Sequence, residues 1–161
     1  MIKLIWAQGP RGELGLDNKL PWKGVKEDLV HFNNMINGKI LIMGSKTYDS
    51  LPWSVVKDKS CIVITRNKNR KVRAPLTMLV SSAEEALALV GDFRDAMVVG
   101  GKQIYDMFMP HADMLIISVI YILGLKADTY APEVPASFNF CTSVPLSQRV
   151  EVLYYVKDHS K

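Results

Sequence analysis

The sequence predicts an α/β domain whose core sheet is largely parallel. Short apolar runs alternate with helical patterns along most of the 161 residues. The runs ILIM, CIVIT and MVV are apolar throughout, which is typical of strands covered on both faces. The C-terminal third has β-like stretches and no clear helix, so the sheet is expected to end in strands without helical connections.

The individual elements follow from local patterns. We predict strands at the short apolar runs, which are residues 2–6, 40–43, 61–65, 77–80, 96–99, 114–121 and 150–156. We predict helices at residues 27–36, 45–51, 83–90 and 102–109. Ser82 and Glu85 have the spacing of a capping box, Gly91 fits the end of that helix, and Pro52 and Pro110 end two others. Residues 9–24, rich in glycine and proline, predict a long loop.

Composition limits the class of protein. Apolar residues make up 48% and charged residues 22%, which excludes wholesale disorder. The net charge of +4 suits an anionic small molecule as well as a nucleic acid. Two cysteines cannot form a disulfide framework, and the three histidines show no metal-ligand spacing. The longest apolar run, residues 114–123, is too short to span a bilayer. We therefore expect a single cytoplasmic domain over residues 1–161, without a metal and without a membrane partner.

One carboxylate lies on the apolar side of a predicted helix. At about 100° per residue, Asp28 falls within an arc of about 120° that also holds Leu29, Phe32, Met35 and Ile36. A buried carboxylate is costly unless it has a partner. Asp28 is therefore a candidate for a recessed acid with a raised pKa that awaits a hydrogen-bond donor. The alternative is an acid in the first helical turn, favoured by the helix dipole and still hydrated.

Two segments share a strand–glycine–helix layout, ILIMG-SKTYDSL and MVVGG-KQIYDMF. Glycine allows a ligand to approach the backbone closely, and the start of a helix offers unpaired N–H groups to an anion. Two such turns in one domain suit a pyrophosphate. The alternative is that these glycines serve only tight turns.

A basic loop follows the run CIVIT. Its cations are Arg66, Lys68, Arg70, Lys71 and Arg73. These charges predict either a solvated loop or a phosphate contact by Thr65 and Arg66, next to the strand end. No aromatic residues interleave with the charges, so a nucleic-acid surface lacks its usual stacking partners.

Five motifs in order give the chain a specific resemblance. They are LPW (20–22), Asp28-Leu29 followed by Phe32, IMGxKT (42–47), VVGGxxIY (98–105) and ADT (127–129). In this combination the chain resembles the dihydrofolate reductase family, and the segments GSKTY and SLP resemble those of phage-encoded members. The resemblance implies a mixed, mostly parallel eight-stranded sheet flanked by four helices.

The resemblance also implies an activity. That activity is the reduction of 7,8-dihydrofolate to tetrahydrofolate by hydride transfer from NADPH, in support of one-carbon and thymidylate metabolism. It makes the chain an expected antifolate target, a monomer, and a protein without nucleic-acid partners.

For the substrate, the resemblance gives Asp28 the central role, as the hydrogen-bond acceptor for a pterin ring nitrogen and the 2-amino group. Ser118 would bridge that carboxylate and the pterin, and Trp22 would help to hold a water beside it. The remaining residues implied in substrate binding are Ile5, Ala7, Leu29, Phe32, Leu51, Lys59 and Val99.

For the cofactor, Ala7, Leu14 and Gly15 match positions near the nicotinamide, and residues 9–24 would form a mobile lid. The residues that match the phosphate-binding positions are Gly44, Ser45, Lys46, Thr47, Thr65, Arg66, Gly100, Gly101, Lys102, Gln103 and Ile104.

Two departures from the family pattern carry predictions. Where the family has Pro-Gly-Arg, with the arginine on the α-carboxylate of the folate tail, the segment here reads VVKDKSCIVI and Lys59 is the best match. Ser45 and Gln103 stand where arginines often contact the cofactor phosphates. We expect Arg66 and Lys46 to supply that charge and to keep the preference for NADPH.

Two other functions remain open from the sequence. One is a reductase of the same fold that acts on a pyrimidine intermediate of riboflavin synthesis, which the Asp28–Phe32 pair and Trp22 disfavour. The other is a basic, non-enzymatic binding module built on a reductase fold.

Overall fold

The computed structural model describes residues 1–92 and 94–161, and an eight-stranded sheet forms its framework. The strands of the described chain are β1 (Ile2–Gln8), β2 (Glu13–Gly15), β3 (Ile40–Gly44), β4 (Cys61–Ile64), β5 (Thr77–Val80), β6 (Ala96–Val98), β7 (Met114–Ile120), β8 (Thr129–Tyr130), β9 (Phe138–Pro145) and β10 (Val150–Lys157). The helices are α1 (Lys26–Ile36), α2 (Ser45–Ser50), α3 (Trp53–Val56), α4 (Ala83–Val90) and α5 (Lys102–Phe108), with a 3-10 turn at Met109–His111. The sheet has the order β5-β4-β3-β6-β1-β7-β10-β9, and β2 pairs with β8 separately.

The chain divides into two compact units. The first comprises Met1–Leu4 with Ile36–Ala112, and the second comprises Ile5–Met35 with Asp113–Lys161. The expectation of a single domain over the whole chain stays a prediction.

The first unit holds the parallel part of the sheet. Strands β5, β4, β3 and β6 pair in parallel, and the first residues of β1 pair in parallel with β6. The centres of β3, β4 and β6 are buried, as the apolar runs predicted, because both faces of such strands are covered. Strand β5 lies at the edge of the sheet, and its Met78 is 51% exposed. The predicted cap of α4 is present, since the Glu85 N–H donates to the Ser82 hydroxyl at 3.1 Å and Gly91 follows the last turn at φ +73°.

The second unit holds the antiparallel part. Strand β10 runs antiparallel to both β7 and β9. Trp22 and Val25 lie in the segment just before α1 and form a buried apolar cluster with Ile120 and Val150. This cluster seats the start of α1 on the face of the sheet that also carries Ser118, because side chains two residues apart share a face.

The structure confirms the predicted eight-stranded, mostly parallel sheet and corrects several details. The described residues form five α-helices rather than four, since α3 is only four residues long and too short to show a helical period. The predicted loop at residues 9–24 contains β2, whose partner β8 lies more than a hundred residues away, so no local pattern could predict the pair. The predicted helix at 102–109 ends at Phe108 and continues as a 3-10 turn that includes Pro110. Among the described residues, no helix is both long and apolar enough to cross a membrane.

Candidate functional site

The second unit places Asp28 in the first turn of α1, on the side that faces the sheet. Burial disfavours the charged carboxylate and raises its pKa, while a hydrogen bond from the Ser118 side chain acts in the opposite direction. Ser118 is itself only 1% exposed and lies on β7 opposite Val152. The predicted rise in the pKa of Asp28 is therefore confirmed. Asp28 also lies in the first turn of α1, as the alternative interpretation stated.

The other predicted substrate residues of this unit differ in exposure. Ile5 and Trp22 are buried, Ala7 packs on the Trp22 cluster, and Phe32 is half-buried. Leu29 is 57% exposed, although the helical arc placed it on the apolar stripe. It lies at the edge of that arc, where the helix meets solvent, so the expectation that the whole stripe is covered is wrong at this position.

The neighbouring carboxylate on α1, Glu27, forms an ion pair. Glu27 accepts two hydrogen bonds from the Arg149 guanidinium, at 3.0 and 2.9 Å. The Arg149 guanidinium and the Ser147 side chain lower the pKa of Glu27 to about 2, so it is ionised at neutral pH. The pKa values of these two adjacent acids are thus shifted in opposite directions, because Asp28 faces the sheet and Glu27 faces an arginine.

In the first unit the two glycine turns lie side by side. Strands β3 and β6 are neighbours, and the Gly44 N–H donates to the Gly100 carbonyl at 2.9 Å. The Val99 N–H donates to the Ile42 carbonyl at 2.9 Å and keeps the strands paired up to the turns. Helix α2 begins directly after Gly44 and α5 directly after Gly101. The carboxyl ends of two adjacent parallel strands therefore present glycine backbone at one place, which is where ligands bind in open α/β sheets.

Gly100 requires the conformational freedom of glycine. Its φ is +123°, and a Cβ added there would lie 3.1 Å from the Tyr105 hydroxyl and 3.6 Å from Thr47 Oγ1. The peptide bond to Gly101 is cis. Tyr105 is buried at the start of α5, so it belongs to this turn. Tyr105 belongs to the sequence motif VVGGxxIY, but only the fold places its buried hydroxyl beside Gly100.

The remaining predicted cofactor residues of the first unit surround these turns. Lys46 and Gln103 are exposed, Ser45, Thr47 and Lys102 are half-buried, and Ile104 packs against Gly44. Thr65 and Arg66 follow β4, the neighbour of β3, and Arg66 is exposed.

Most of the basic loop has structural partners instead of free charge. Arg70 pairs with Asp49 on α2, and its guanidinium lies 5.5 Å from the centre of the Tyr48 ring. Arg73 donates to the Tyr48 carbonyl and, at 3.0 Å, to the Leu51 carbonyl. Lys68 pairs with Glu85 at 3.0 Å. Arg70 and Arg73 therefore fasten the loop to α2, while Arg66, Lys68, Lys71 and Arg73 are exposed, as the solvated-loop interpretation predicted.

Lys59 lines a cavity of about 340 Å³ in the first unit. The other lining residues are Asn37, Gly38, Lys39, Ile40, Asp58 and Ser60. The cavity lies at the amino ends of β3 and β4, whereas the glycine turns lie at the carboxyl end of the sheet. Lys39 is paired with Asp95 at 3.2 Å. Leu51 and Val99, predicted to line the substrate pocket, are half-buried residues of this unit.

The predicted lid has internal ties in the second unit. The buried Glu13 carboxylate accepts the Arg11 N–H at 2.7 Å, and Gly9 leaves space for that carboxylate. The Asp128 N–H donates to the Gly15 carbonyl at 2.9 Å, and β2, which includes Leu14, pairs with β8. The motion of this loop stays a prediction.

A mostly parallel sheet with paired glycine turns at its carboxyl end, together with a recessed carboxylate in the first turn of a helix, is typical of an α/β reductase that uses a nicotinamide nucleotide. The sequence model of the family described as dihydrofolate reductase matches residues 1–153. The chain belongs to the dihydrofolate reductase family.

Individual relatives agree with this assignment. Dihydrofolate reductase of Ureaplasma parvum is 31% identical over 129 residues, which cover 74% of this chain and 75% of the relative. Dihydrofolate reductase of Neisseria gonorrhoeae is 36% identical over 133 residues, which cover 83% and 80%. The solved structure of dihydrofolate reductase from Enterococcus faecalis, complexed with NADP(H) and RAB-propyl, has a TM-score of 0.83 and 25% identity, with 98% and 96% of the two chains covered. The chain catalyses the NADPH-dependent reduction of dihydrofolate.

Proposed function

We propose that Asp28 is the residue that holds and polarises the pterin ring during this reduction. The observation that carries the proposal is the sheet-facing carboxylate whose pKa burial raises and whose one described side-chain donor is Ser118. Such a carboxylate gains most from a ligand that donates hydrogen bonds. A pterin offers two donors side by side, a ring nitrogen and the 2-amino group, which match the two oxygens of a carboxylate.

Ser118 and Trp22 support Asp28 in this proposal. The Ser118 hydroxyl donates to the carboxylate and fixes its orientation. Trp22 anchors the segment before α1 in the buried cluster and would help to hold a water beside the acid. In this proposal the apolar surface for the substrate comes from Ile5, Ala7, Leu29, Phe32, Leu51 and Val99.

The paired glycine turns fit a nucleotide cofactor. At Gly44 and Gly100 an added side chain would meet Ile104 or Tyr105, so both turns keep their backbone bare. Residues 44–47 and 100–104 would hold the pyrophosphate, with Thr65 and Arg66 beside them and Ala7, Leu14 and Gly15 at the nicotinamide. NADPH, when bound, supplies the hydride.

The chain contributes alignment and charge to the reaction. Asp28 orients the pterin and stabilises its cationic form electrostatically. The ring nitrogen that neighbours the hydride acceptor gains its proton through water. Apolar side chains around Asp28 exclude other water from the reacting atoms.

One assay separates this proposal from the other functions. Loss of NADPH absorbance on addition of dihydrofolate, and not on addition of a pyrimidine precursor of riboflavin, is the expected result. A binding module would consume no NADPH with either compound.

The tail of dihydrofolate gives a second prediction. We propose that Lys59 binds its α-carboxylate, because Lys59 is a half-buried cation that lines a cavity and matches the position of the family's arginine. A lysine keeps the charge of the family's arginine but lacks its planar fork. Lys59→Arg is therefore expected to lower the KM for dihydrofolate several-fold with kcat unchanged. Lys57→Arg, on an exposed neighbour, is the matched control, and an unchanged KM in Lys59→Arg would mean that another residue holds the tail.

Cofactor preference gives a third prediction. Lys46 and Arg66 are both exposed cations near the glycine turns and the end of β4, as a 2′-phosphate site requires. We expect kcat/KM to be at least tenfold higher with NADPH than with NADH, and Arg66→Ala to reduce that ratio. Lys71→Ala, an exposed cation of the same loop, should leave the ratio unchanged. Equal efficiency of the wild type with both cofactors would show that neither Lys46 nor Arg66 reads the phosphate.

We also propose that the enzyme is a monomer, that it is located in the cytoplasm, and that it has no nucleic-acid or membrane partners. Sedimentation at micromolar concentration with and without NADPH tests the first of them.

A further inference from the structure

The turn that follows α1 carries a sequence motif that the reductase reaction does not use. Asn37 is the only asparagine of the chain that precedes a glycine, and both residues are exposed. Helix α1 ends at Ile36, and the Lys39 N–H donates to the Ile36 carbonyl at 3.0 Å, which closes a turn around Asn37 and Gly38. The motif therefore lies in an exposed turn and not within the helix.

Gly38 leaves the backbone of this turn open. Its φ is +73°, the left-handed conformation in which glycine ends many helices. A Cβ added to Gly38 would meet no atom within 4 Å, so no neighbouring group crowds the residue on that side. Glycine also has no side chain that would hinder its own nitrogen. An accessible amide followed by an unhindered nitrogen is the arrangement in which a backbone nitrogen attacks the preceding side chain.

The other asparagines of the chain lack this combination. Asn34 lies within α1 and is followed by the larger Met35. The side chain of Asn139 is held at both ends, since its amide nitrogen donates to Asp158 at 3.0 Å and its oxygen accepts from Lys161 at 2.9 Å. A helical backbone, a bulky following residue or a fixed amide each slows such an attack. The turn after α1 is therefore the place where it is expected.

The position of this turn connects it with the substrate. Asn37 and Gly38 line the cavity of about 340 Å³ that Lys59 also lines. The charged side chains on the cavity wall are Lys39, Asp58 and Lys59. Lys39 is already paired with Asp95 at 3.2 Å, whereas Lys59 forms no ion pair within the described part of the chain. A new negative charge at position 37 would therefore act on Lys59 and on a carboxylate bound to it.

We infer that Asn37 is a site of deamidation, which places a carboxyl group on the wall of the Lys59 cavity. The Gly38 nitrogen attacks the side-chain carbonyl carbon of Asn37 and gives up its proton. The bond from that carbon to the amide nitrogen breaks, and ammonia leaves. Water then opens the resulting succinimide ring at either of its carbonyl groups, so the product is aspartate or isoaspartate. The reaction involves no oxidation or reduction, and water is its only co-reactant.

The consequence for activity rests on the proposed role of Lys59 in binding the tail of dihydrofolate. The carboxylate formed at position 37 attracts Lys59 and repels the α-carboxylate of the tail, so the modified enzyme binds dihydrofolate more weakly. Asp28 and the glycine turns are not altered, so hydride transfer with saturating substrates is retained. The affinity for dihydrofolate thus declines with the age of the enzyme molecule.

Peptide mass mapping of the purified enzyme after incubation at mildly alkaline pH tests the modification. The peptide that contains Asn37 is expected to gain the mass difference between a carboxyl group and an amide, and an isoaspartyl methyltransferase should label it. The peptide that contains Asn139 should keep its mass. In Asn37→Gln the change should disappear, because the larger ring closes more slowly. An unchanged mass in the folded enzyme, under conditions in which a synthetic peptide of the same sequence deamidates, overturns the inference.

Steady-state kinetics of fresh variants test the consequence. Asn37→Asp is expected to raise the KM for dihydrofolate several-fold with kcat unchanged, and high salt should reduce the difference because exposed charges are screened. Asn34→Asp adds the same charge at an exposed position outside the cavity and should leave the KM unchanged.

The two measurements separate this inference from the proposed function. Absence of the mass change overturns the deamidation site and leaves the proposed function intact. Deamidation with an unchanged KM in Asn37→Asp overturns the loss of affinity and contradicts the proposed place of the tail at Lys59. An unchanged KM in Lys59→Arg would show that second failure independently.

Discussion

Replacement of Asp28 by Asn is expected to slow hydride transfer to dihydrofolate at neutral pH by about 10²-fold or more, with NADPH binding nearly unchanged. Asparagine has almost the same shape, so packing against Ser118 and the sheet is retained. It lacks the negative charge that stabilises a cationic pterin, and its amide nitrogen would face the pterin donors. The loss therefore falls on the chemical step and on the pterin and spares the glycine turns of the other unit.

Single-turnover rates with saturating NADPH measure this effect, and fluorescence titration measures NADPH binding. Glu27→Gln is the matched control, because it neutralises the adjacent acid, which is bound to Arg149. Its hydride-transfer rate should stay close to that of the wild type. Equal rates for Asp28→Asn and the wild type would remove Asp28 from the mechanism.

The same variant should be more stable than the wild type at pH 7. Burial raises the pKa of the Asp28 carboxyl, so the folded protein binds its proton more tightly than the unfolded chain does. The ionised carboxylate therefore lowers the free energy of unfolding above its folded pKa, and this penalty disappears as the pH falls toward the ordinary value of 3.8. Urea unfolding at a series of pH values tests this sign, since the stability gap between the variants should narrow in acid. A less stable Asp28→Asn at pH 7 would show that the donor Ser118 outweighs burial.

Replacement of Gly100 by Ala is the second change with a large expected effect. At φ +123° a residue with a Cβ is strained, and here the Cβ would also lie 3.1 Å from the buried Tyr105 hydroxyl. The strain lowers the free energy of unfolding by about 1–3 kcal/mol. To relieve it, the turn must shift and the hydrogen bond from the Gly44 N–H to the Gly100 carbonyl must lengthen, so NADPH affinity should fall at least tenfold.

Gly91→Ala separates crowding from backbone strain. Gly91 also has a positive φ, of +73°, but an added Cβ meets no atom within 4 Å. This variant should lose stability and keep its affinity for NADPH. An unchanged NADPH affinity in Gly100→Ala would mean that the turn does not contact the cofactor.

Local signals predicted much of the fold. The cap at Ser82 and the breaks at Gly91 and Pro52 are properties of a few neighbouring residues, so they place helix ends without knowledge of the rest of the chain. The runs 40–43 and 61–65 are apolar on both faces, which predicted the parallel part of the sheet. Helix α3 and the pair of β2 with β8 lacked such signals. One is too short to show a period, and the other depends on residues far apart in sequence.

The sequence predicted which kinds of residue form the site, and the fold decided which groups surround them. The position of Asp28 on an apolar stripe favoured a raised pKa beside the alternative of a hydrated acid, and the strand–glycine–helix layout pointed to the glycine turns. Which groups surround them depended on tertiary contacts. Ser118, which donates to Asp28, comes from a strand ninety positions later, and Tyr105 gained its place beside Gly100 only through the packing of α5.

The sequence by itself determined an α/β fold with one acid on an apolar helical stripe and two strand–glycine–helix turns, because residue type and spacing act locally, and its motifs gave the resemblance to a reductase family. Tertiary structure decided that Arg70 and Arg73 fasten a loop to α2, that Leu29 is exposed, and that His31 Nε2 is buried without a partner. The physical reason is that burial and charge pairing depend on atoms from distant segments. A side chain's pKa and exposure therefore follow from the folded arrangement, whereas its functional group is given by the residue type.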